Sequence, residues 1–414
     1  MFKKIIHYII CKETIFVLFL YAGFFKSAIP SPVDLTIIFL VLSFLFALKE
    51  LLNKAVFING IAESLVLFSL FTIVILISTF YTPSSGGGEK ALHFTLITGW
   101  SFIGPLFIIN TKESLYKFFN SFFIMGIVAS LFALKEFLTN DDAFFITIFG
   151  SDYLALGRVI GSAIIVALVT LMIQQISSKK IFLLLSSISL MTFVMILSGG
   201  RAPIFFLLLV LLIYSISQFK VNFKTGIFKY RKSNLYFILL TAVGVIFFIN
   251  SNIVAFETLK IRIGHAFTEG GGDSIAGRTD RFEAALNMIS EKPFFGYGID
   301  SFSHIYNSGK TDWPHNIFLE ITSEIGFLGL FIFISMLFLS FFRFFKTAFY
   351  KSEDEISVVL KCQLFLLFLY SFINANVSGT IIGNRVMFTF IAILFISSRF
   401  FKTHNKTNYT EKSA

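Results

Sequence analysis

Apolar stretches close to the roughly 20 residues that carry an α-helix across about 30 Å of hydrocarbon recur from one end of this chain to the other. Twelve can be read, around 14–30, 33–48, 61–80, 91–109, 115–137, 153–174, 181–198, 202–218, 235–250, 325–343, 356–375 and 379–398. A backbone crossing lipid must satisfy its own hydrogen bonds, which leaves helices or closed barrels. No segment shows the in-out alternation of barrel strands, so the expected fold class is all-α: a single polytopic membrane domain over 1–414 with about twelve transmembrane helices. Composition agrees. With 56% of 414 residues hydrophobic and 14% charged, too little polar surface is left to clothe a soluble globule.

Orientation follows from where lysine and arginine collect. With a cytoplasmic N-terminus, the inner segments carry Lys3, Lys4 and Lys12, then Lys49 and Lys54, Lys112 and Lys117, and Lys179 and Lys180. Further on come the basic run "FKVNFKTGIFKYRK", then Arg343, Lys346 and Lys351, and finally Arg399, Lys402, Lys406 and Lys412. The short outer loops are nearly bare of them. This positive-inside asymmetry puts both termini in the cytoplasm of a plasma-membrane protein and explains much of the +10 net charge without nucleic acid as a partner. The first hydrophobic segment follows a basic start and lacks a small-residue cleavage site, so it is expected to stay as an anchor. Cys11 and Cys362 both map to the inner side, which suggests neither a disulfide framework nor a cysteine metal site.

One segment departs from the pattern of short loops. Residues 251–314, between the ninth and tenth spans, form a mostly polar outer loop with helical periodicity in "RTDRFEAALNMISEK" and turn signals at "GGGD", "KPFFGYG" and "NSGK". A structureless loop of that length is uncommon unless it has a task.

Five arginines stand on the side that should be poor in positive charge. Arg158 in "YLALGRVIGSAIIVAL" lies about one turn inside the outer end of the sixth span, Arg201 in "ILSGGRAPIFF" caps the turn between spans seven and eight, and Arg385 in "GTIIGNRVMF" stands at the outer end of span twelve. Arg278 and Arg281 open the helical stretch of the outer loop. An arginine at the bilayer midplane costs roughly 2.5–3.5 kcal/mol, less near the interface, so such residues point to function. Snorkelling to headgroups, or pairing with Glu136, Asp141, Asp142 and Asp152, is the alternative. Planar guanidinium forks suit bidentate contacts to phosphate or pyrophosphate.

The stretch "WPHNIFLEITSEIGFLGLFIF" supplies the complement. Pro314 suits an early helix position, which places His315 in the first turn, where free N–H groups and the helix dipole disfavour an imidazolium. A neutral imidazole can act as a general base. Asn316, Glu320 and Glu324 follow at helical spacing and define one polar stripe. His265 and His304 carry no such context.

"HNIFLEITSEIGFLG", with its His-Asn followed by Gly326-x-x-Gly329, resembles the signature of the bacterial O-antigen ligase and polymerase family. "GRTDRFEAALNMISEKPFFGYGIDSF" is similar to that family's outer-loop block, and "SGGRAP" and "GRVIG" resemble its arginine motifs, so the similarity is specific from about 201 to 329. The resemblance implies a metal-independent, inverting glycosyltransferase, needing no cofactor, that moves a glycan from undecaprenyl pyrophosphate to an acceptor sugar hydroxyl outside the plasma membrane. Carried onto this chain, Arg201 and Arg278 would hold the pyrophosphate, His315 would deprotonate the acceptor, and Arg158, Arg281, Asn316 and Arg385 would support binding. The implied partners are the lipid-linked donor, a glycan or lipid A core acceptor, the bilayer, a flippase and a chain-length regulator. Ligases of this kind tend to carry leucine where this chain has Phe205 and threonine where it has Leu330. That favours a polymerase of O-antigen or exopolysaccharide repeats over attachment to lipid A core. A transporter of lipid-linked oligosaccharide is the reading from another class, although the related halves usual in transporters are not visible.

Overall fold

The computed structural model describes residues 11–25, 33–53, 60–139, 152–217, 220–222, 227–229, 273–348 and 354–401. In chain order the helices are α1 (Lys12–Tyr21), α2 (Leu35–Asn53), α3 (Ile61–Ser78), α4 (Gly87–His93), α5 (Gly99–Ile108), α6 (Lys112–Thr139), α7 (Tyr153–Ile173), α8 (Ser178–Leu197) and α9 (Arg201–Ser217). After them come α10 (Asp273–Glu291), α11 (Ser301–Asn307), α12 (Ile317–Ala348), α13 (Glu355–Ala375), α14 (Arg385–Phe395) and α15 (Ser398–Phe401). A π-helical turn, Phe94–Thr98, joins α4 to α5 into one span.

Eight helices among the described residues are long and apolar enough to cross a membrane, and Arg201–Ser217 and Arg385–Phe395 are shorter apolar ones. The count of twelve is thus not reproduced. The expected span 235–250 and residues 251–272 of the outer loop lie outside the described residues. The span expected over 379–398 begins only at Arg385, because residues 379–384 form a turn in which Gly379 takes φ +90° and Gly383 N–H donates to Thr380 O at 3.0 Å. Within the basic run a two-stranded hairpin, β1 (Lys220–Asn222) and β2 (Ile227–Lys229), interrupts the otherwise helical fold, with Lys220 opposite Lys229.

Lipid offers helices no hydrophobic drive to associate, so contact must come from close-fitting surfaces and polar links. α7 is the clearest case, buried along nearly its whole length. Its Gly161 leaves space that the Tyr370 ring of α13 fills, and Tyr370 Oη lies within hydrogen-bond reach of Gly157 O at 3.2 Å and Pro203 O at 3.3 Å. One phenol thereby ties α13 to α7 and to the start of α9. Phenylalanines fill the rest: Phe68 stacks on Phe102 at 4.4 Å, Phe94 meets Phe71 edge-on at 5.7 Å and Phe388 at 5.6 Å. Each such pair contributes on the order of 0.5–1.5 kcal/mol beyond its buried area.

Polar contacts gather at the two ends of the bundle. One end holds Lys12–Glu50 (3.0 Å), Arg343–Glu63 (2.6 Å) and the Lys112–Asp354 pair. The other gathers the turn after α3, the starts of α7 and α9, residues 273–316 and the 376–385 turn. There Tyr81 Oη donates to Phe295 O (2.8 Å), Thr82 Oγ1 to Ile299 O (2.7 Å) and Ser84 Oγ to Asp300 (2.7 Å). Every candidate site residue lies at this second end.

Candidate active site

α12 is broken. At Gly326 the backbone takes φ +76°, ψ −175°, which separates a half-helix 317–325 from the long apolar part. A break at membrane depth exposes backbone groups that lipid cannot satisfy, and the turn after α10 takes them up. Tyr297 N–H donates to Ser323 O (3.0 Å) and Gly298 N–H to Glu324 O (2.7 Å), while Phe327 N–H donates to Pro293 O (2.8 Å). A side chain at 326 would run into the Phe294 carbonyl, so glycine is required for close approach as well as for its dihedral angles. The "KPFFGYG" turn plugs into the gap that this break leaves.

His315 stands just ahead of the half-helix, not in its first turn. Helix α12 begins at Ile317 because Asn316 caps it, its Oδ1 accepting from Phe318 N–H (3.0 Å) and Leu319 N–H (3.1 Å). A preferred N-cap residue outweighs Pro314 as the helix start. His315 is left in the left-handed region at φ +56°, a conformation that costs a β-carbon-bearing residue on the order of 1–3 kcal/mol and persists only where neighbours enforce it. They do so on both sides. Ahead of it, buried Asp312 accepts both forks of Arg281, Nε at 2.7 Å and Nη2 at 2.9 Å, and also Trp313 N–H at 2.8 Å. Behind it is the Asn316 cap. The Trp313 ring lies 5.0 Å from the imidazole.

The imidazole is neutral, for a reason other than the helix dipole. Burial, then the positive charges of Arg281, Arg278 and Arg158, push its pKa down to about 4, with Asp312 opposing. Its Nδ1 is buried without a hydrogen-bond partner among the described residues.

The arginines divide by what already engages them. Arg281 is committed: besides Asp312, its Nη1 donates to Gly277 O at 2.6 Å. It braces the histidine segment against α10. Arg278, one turn earlier, is half-buried and has no ion-pair or hydrogen-bond partner among the described residues; burial, with Arg281 adding to it, pushes its pKa down. Arg158 donates through Nη2 to Ser378 Oγ at 2.6 Å and keeps Nε buried and unpartnered. Arg385 opens α14 with a buried Nη1 that has no partner, its guanidinium 6.0 Å from the Phe19 ring. Arg201 opens α9, which packs against α7 where Pro203 meets Gly157, and it is not among the charges acting on His315.

Arg158, Arg281 and Arg278 thus converge electrostatically on His315. Arg158 also shares a cavity of about 300 Å³ with Arg385. Asn316 is occupied as a cap, with a long contact from Nδ2 to Asn376 O at 3.5 Å.

Glu320 and Glu324 do not form an open polar stripe. Both are buried and meet Lys90 of α4, Nζ reaching Glu320 Oε1 at 2.9 Å and Glu324 Oε2 at 2.9 Å. Glu320 Oε2 also accepts Ile381 N–H at 2.8 Å, which fastens the 376–385 turn to the half-helix. Sequence reasoning missed Lys90, Asp312 and Ser378. Asp312 could have been sought, since an acid three residues before a histidine in "TDWPHN" suggests a local anchor; nothing near Lys90 names its distant partners.

Residues 186–334 match the family described as O-antigen ligase. No curated protein matches the chain. The matched span contains Arg201, Arg278, Arg281, His315 and the Gly326 break, and with the helical membrane bundle it supports the O-antigen ligase/polymerase family, whose members are membrane enzymes that transfer glycans.

Proposed function

We propose that the chain polymerises lipid-linked glycan repeats on the outer face of the plasma membrane. The donor in this reading is a glycan on undecaprenyl pyrophosphate, and the acceptor is a sugar hydroxyl of a second lipid-linked repeat. The observation that carries it is a neutral His315, held in a left-handed turn at one end of a membrane bundle, with guanidinium groups on its flank.

In the transfer, His315 takes the proton from the acceptor hydroxyl as its oxygen attacks the anomeric carbon. The bond from that carbon to the pyrophosphate oxygen breaks, configuration inverts, and the lipid pyrophosphate leaves with both bonding electrons. Arg278, without an ion-pair or hydrogen-bond partner among the described residues, and Arg201 receive its developing charge. Arg281 and Asn316 hold the histidine segment in place. A general base contributes typically 10²–10⁴-fold to such a step and a positioned charge-stabilising donor about 10²–10³-fold. The bundle end opposite His315 carries Lys12, Lys112, Arg343 and Arg399, which supports its orientation toward the cytoplasm. Phe205 and Leu330, in place of the leucine and threonine usual in ligases, favour a polymerase.

The test is reconstitution in vesicles with an undecaprenyl-pyrophosphate repeat, with and without core-lipid acceptor. A ladder of products without core lipid is expected, and His315→Ala and Arg278→Ala should lower its rate by at least about 100-fold. Unchanged ladders in both variants would refute the site; a single transfer that needs core lipid would make the chain a ligase.

A further inference from the structure

A polymerase of this kind must hold two lipid pyrophosphates at once, one on the donor and one on the acceptor. The residues assigned above to the departing pyrophosphate account for only one.

The cavity beside Arg158 has the features of the second. It measures about 300 Å³, the low end of the range for small-molecule sites. Leu20 and Tyr21 of α1, Arg158 and Ser162 of α7, Asn374 of α13 and Arg385 of α14 contribute to its wall. His315 is not part of that wall, so the cavity adjoins the histidine centre with Arg158 as the shared residue.

The chemistry of the wall selects the ligand. Several of its neutral groups already bond within the protein: Ser162 Oγ donates to Arg158 O (2.8 Å), Asn374 Nδ2 to Tyr370 O (2.8 Å) and Asn384 Nδ2 to Thr380 O (2.8 Å). The carboxylate in the lining, Asp152, caps its own helix by accepting Leu154 N–H at 3.0 Å; its charge acts on Arg158 across the cavity, with no ion pair between them among the described residues. Among the described lining residues, the buried side-chain donors without a hydrogen-bond partner are Arg158 Nε and Arg385 Nη1. A buried donor without a partner costs on the order of 1–3 kcal/mol, and here there are two of them. A multivalent anion that accepts from both removes both penalties.

We infer that the Arg158–Arg385 cavity binds a phosphate-class anion, the pyrophosphate of the acceptor lipid. This rests on the polymerase reading above.

The experiment counts undecaprenyl pyrophosphate bound to the purified protein in zwitterionic nanodiscs by native mass spectrometry, beside polymer formation in vesicles. Two equivalents are expected for wild type and for His304→Ala, an exposed change on α11, and one for Arg385→Gln. The equivalent retained by Arg385→Gln shows that this variant is folded. A wild type that saturates at one, or an Arg385→Gln that still binds two, overturns the site. If phosphatidylglycerol in the nanodisc displaces the second equivalent as readily as undecaprenyl pyrophosphate does, the cavity is a general phospholipid site and the acceptor assignment falls. If inorganic pyrophosphate competes for that equivalent and phosphatidylglycerol does not, the pyrophosphate assignment is upheld. Polymer made by a protein that binds one equivalent would refute the cavity but keep the reaction. Two equivalents without any polymer would refute the reaction and keep the cavity.

Discussion

Asp312 holds Arg281 through both forks, and that pairing decides where His315 stands. The carboxylate is buried and the guanidinium is only partly covered, so the pair anchors the 312–316 turn to α10. Asp312→Asn should keep the fold, release the 312–316 turn, and lower kcat much more than it raises donor KM. Arg281→Lys, which can make one contact but not the fork, should fall between it and wild type. If Asp312→Asn matches wild type in kcat, the brace is dispensable.

Donor binding should alter the strength of the base. In the free protein His315 has its pKa pushed down to about 4 by burial and by Arg281, Arg278 and Arg158. A donor anion seated on Arg278 offsets the repulsion from that arginine and raises that value. The transfer proposed above uses the neutral imidazole, so rate should be lost as pH falls through the pKa. The acid limb of kcat/KM, which reports the free enzyme, is therefore expected near pH 4, and that of kcat at higher pH. Coincident limbs would show that the arginines do not sense the donor.

Lys90 neutralises one of two buried carboxylates that it touches. Lys90→Met leaves Glu320 and Glu324 without their cation and should destabilise the protein by about 3–5 kcal/mol, as removal of one partner from a buried pair does. Adding Glu320→Gln and Glu324→Gln to that variant should restore much of the loss, measured as the midpoint of thermal unfolding in detergent. Failure of the triple variant to recover would locate the role of Lys90 elsewhere.

Gly326→Ala places a β-carbon at φ +76° and against the Phe294 carbonyl. The strained backbone alone costs on the order of 1–3 kcal/mol. Gly329→Ala meets only side-chain atoms of Ile325 and Ile321 and should be milder. Equal melting temperatures for the two variants would contradict the broken helix.

The spans were legible because hydropathy and helix length are properties of contiguous residues; α3, α6, α7, α8 and α13 lie within a few residues of where the sequence puts them. The helical outer stretch and its turns were equally local, as α10 and the 293–298 turn show. His315, Arg278 and Arg201 were nameable from motif and unusual placement. What escaped depended on distant partners. Nothing in "GGGEKALHF" says that Lys90 will meet two glutamates more than two hundred residues on, and the Gly326 break is visible only once residues 293–298 fill it. The reason given for a neutral His315 changed from a helix terminus to burial among arginines, because a cap at Asn316 moved the helix start by a few residues.

The break in α12 has a mechanical meaning. A continuous transmembrane helix answers a thicker or thinner bilayer by tilting or sliding, and anything rigidly attached to its end moves with it. Here the membrane-crossing part starts beyond Gly326, while the half-helix bearing the histidine is stitched to the 293–298 turn, to Ile381 and to Lys90. The depth of His315 is therefore referenced to the 293–298 and 376–385 turns. A bilayer that thickens or thins can tilt the membrane-crossing part without carrying the imidazole with it.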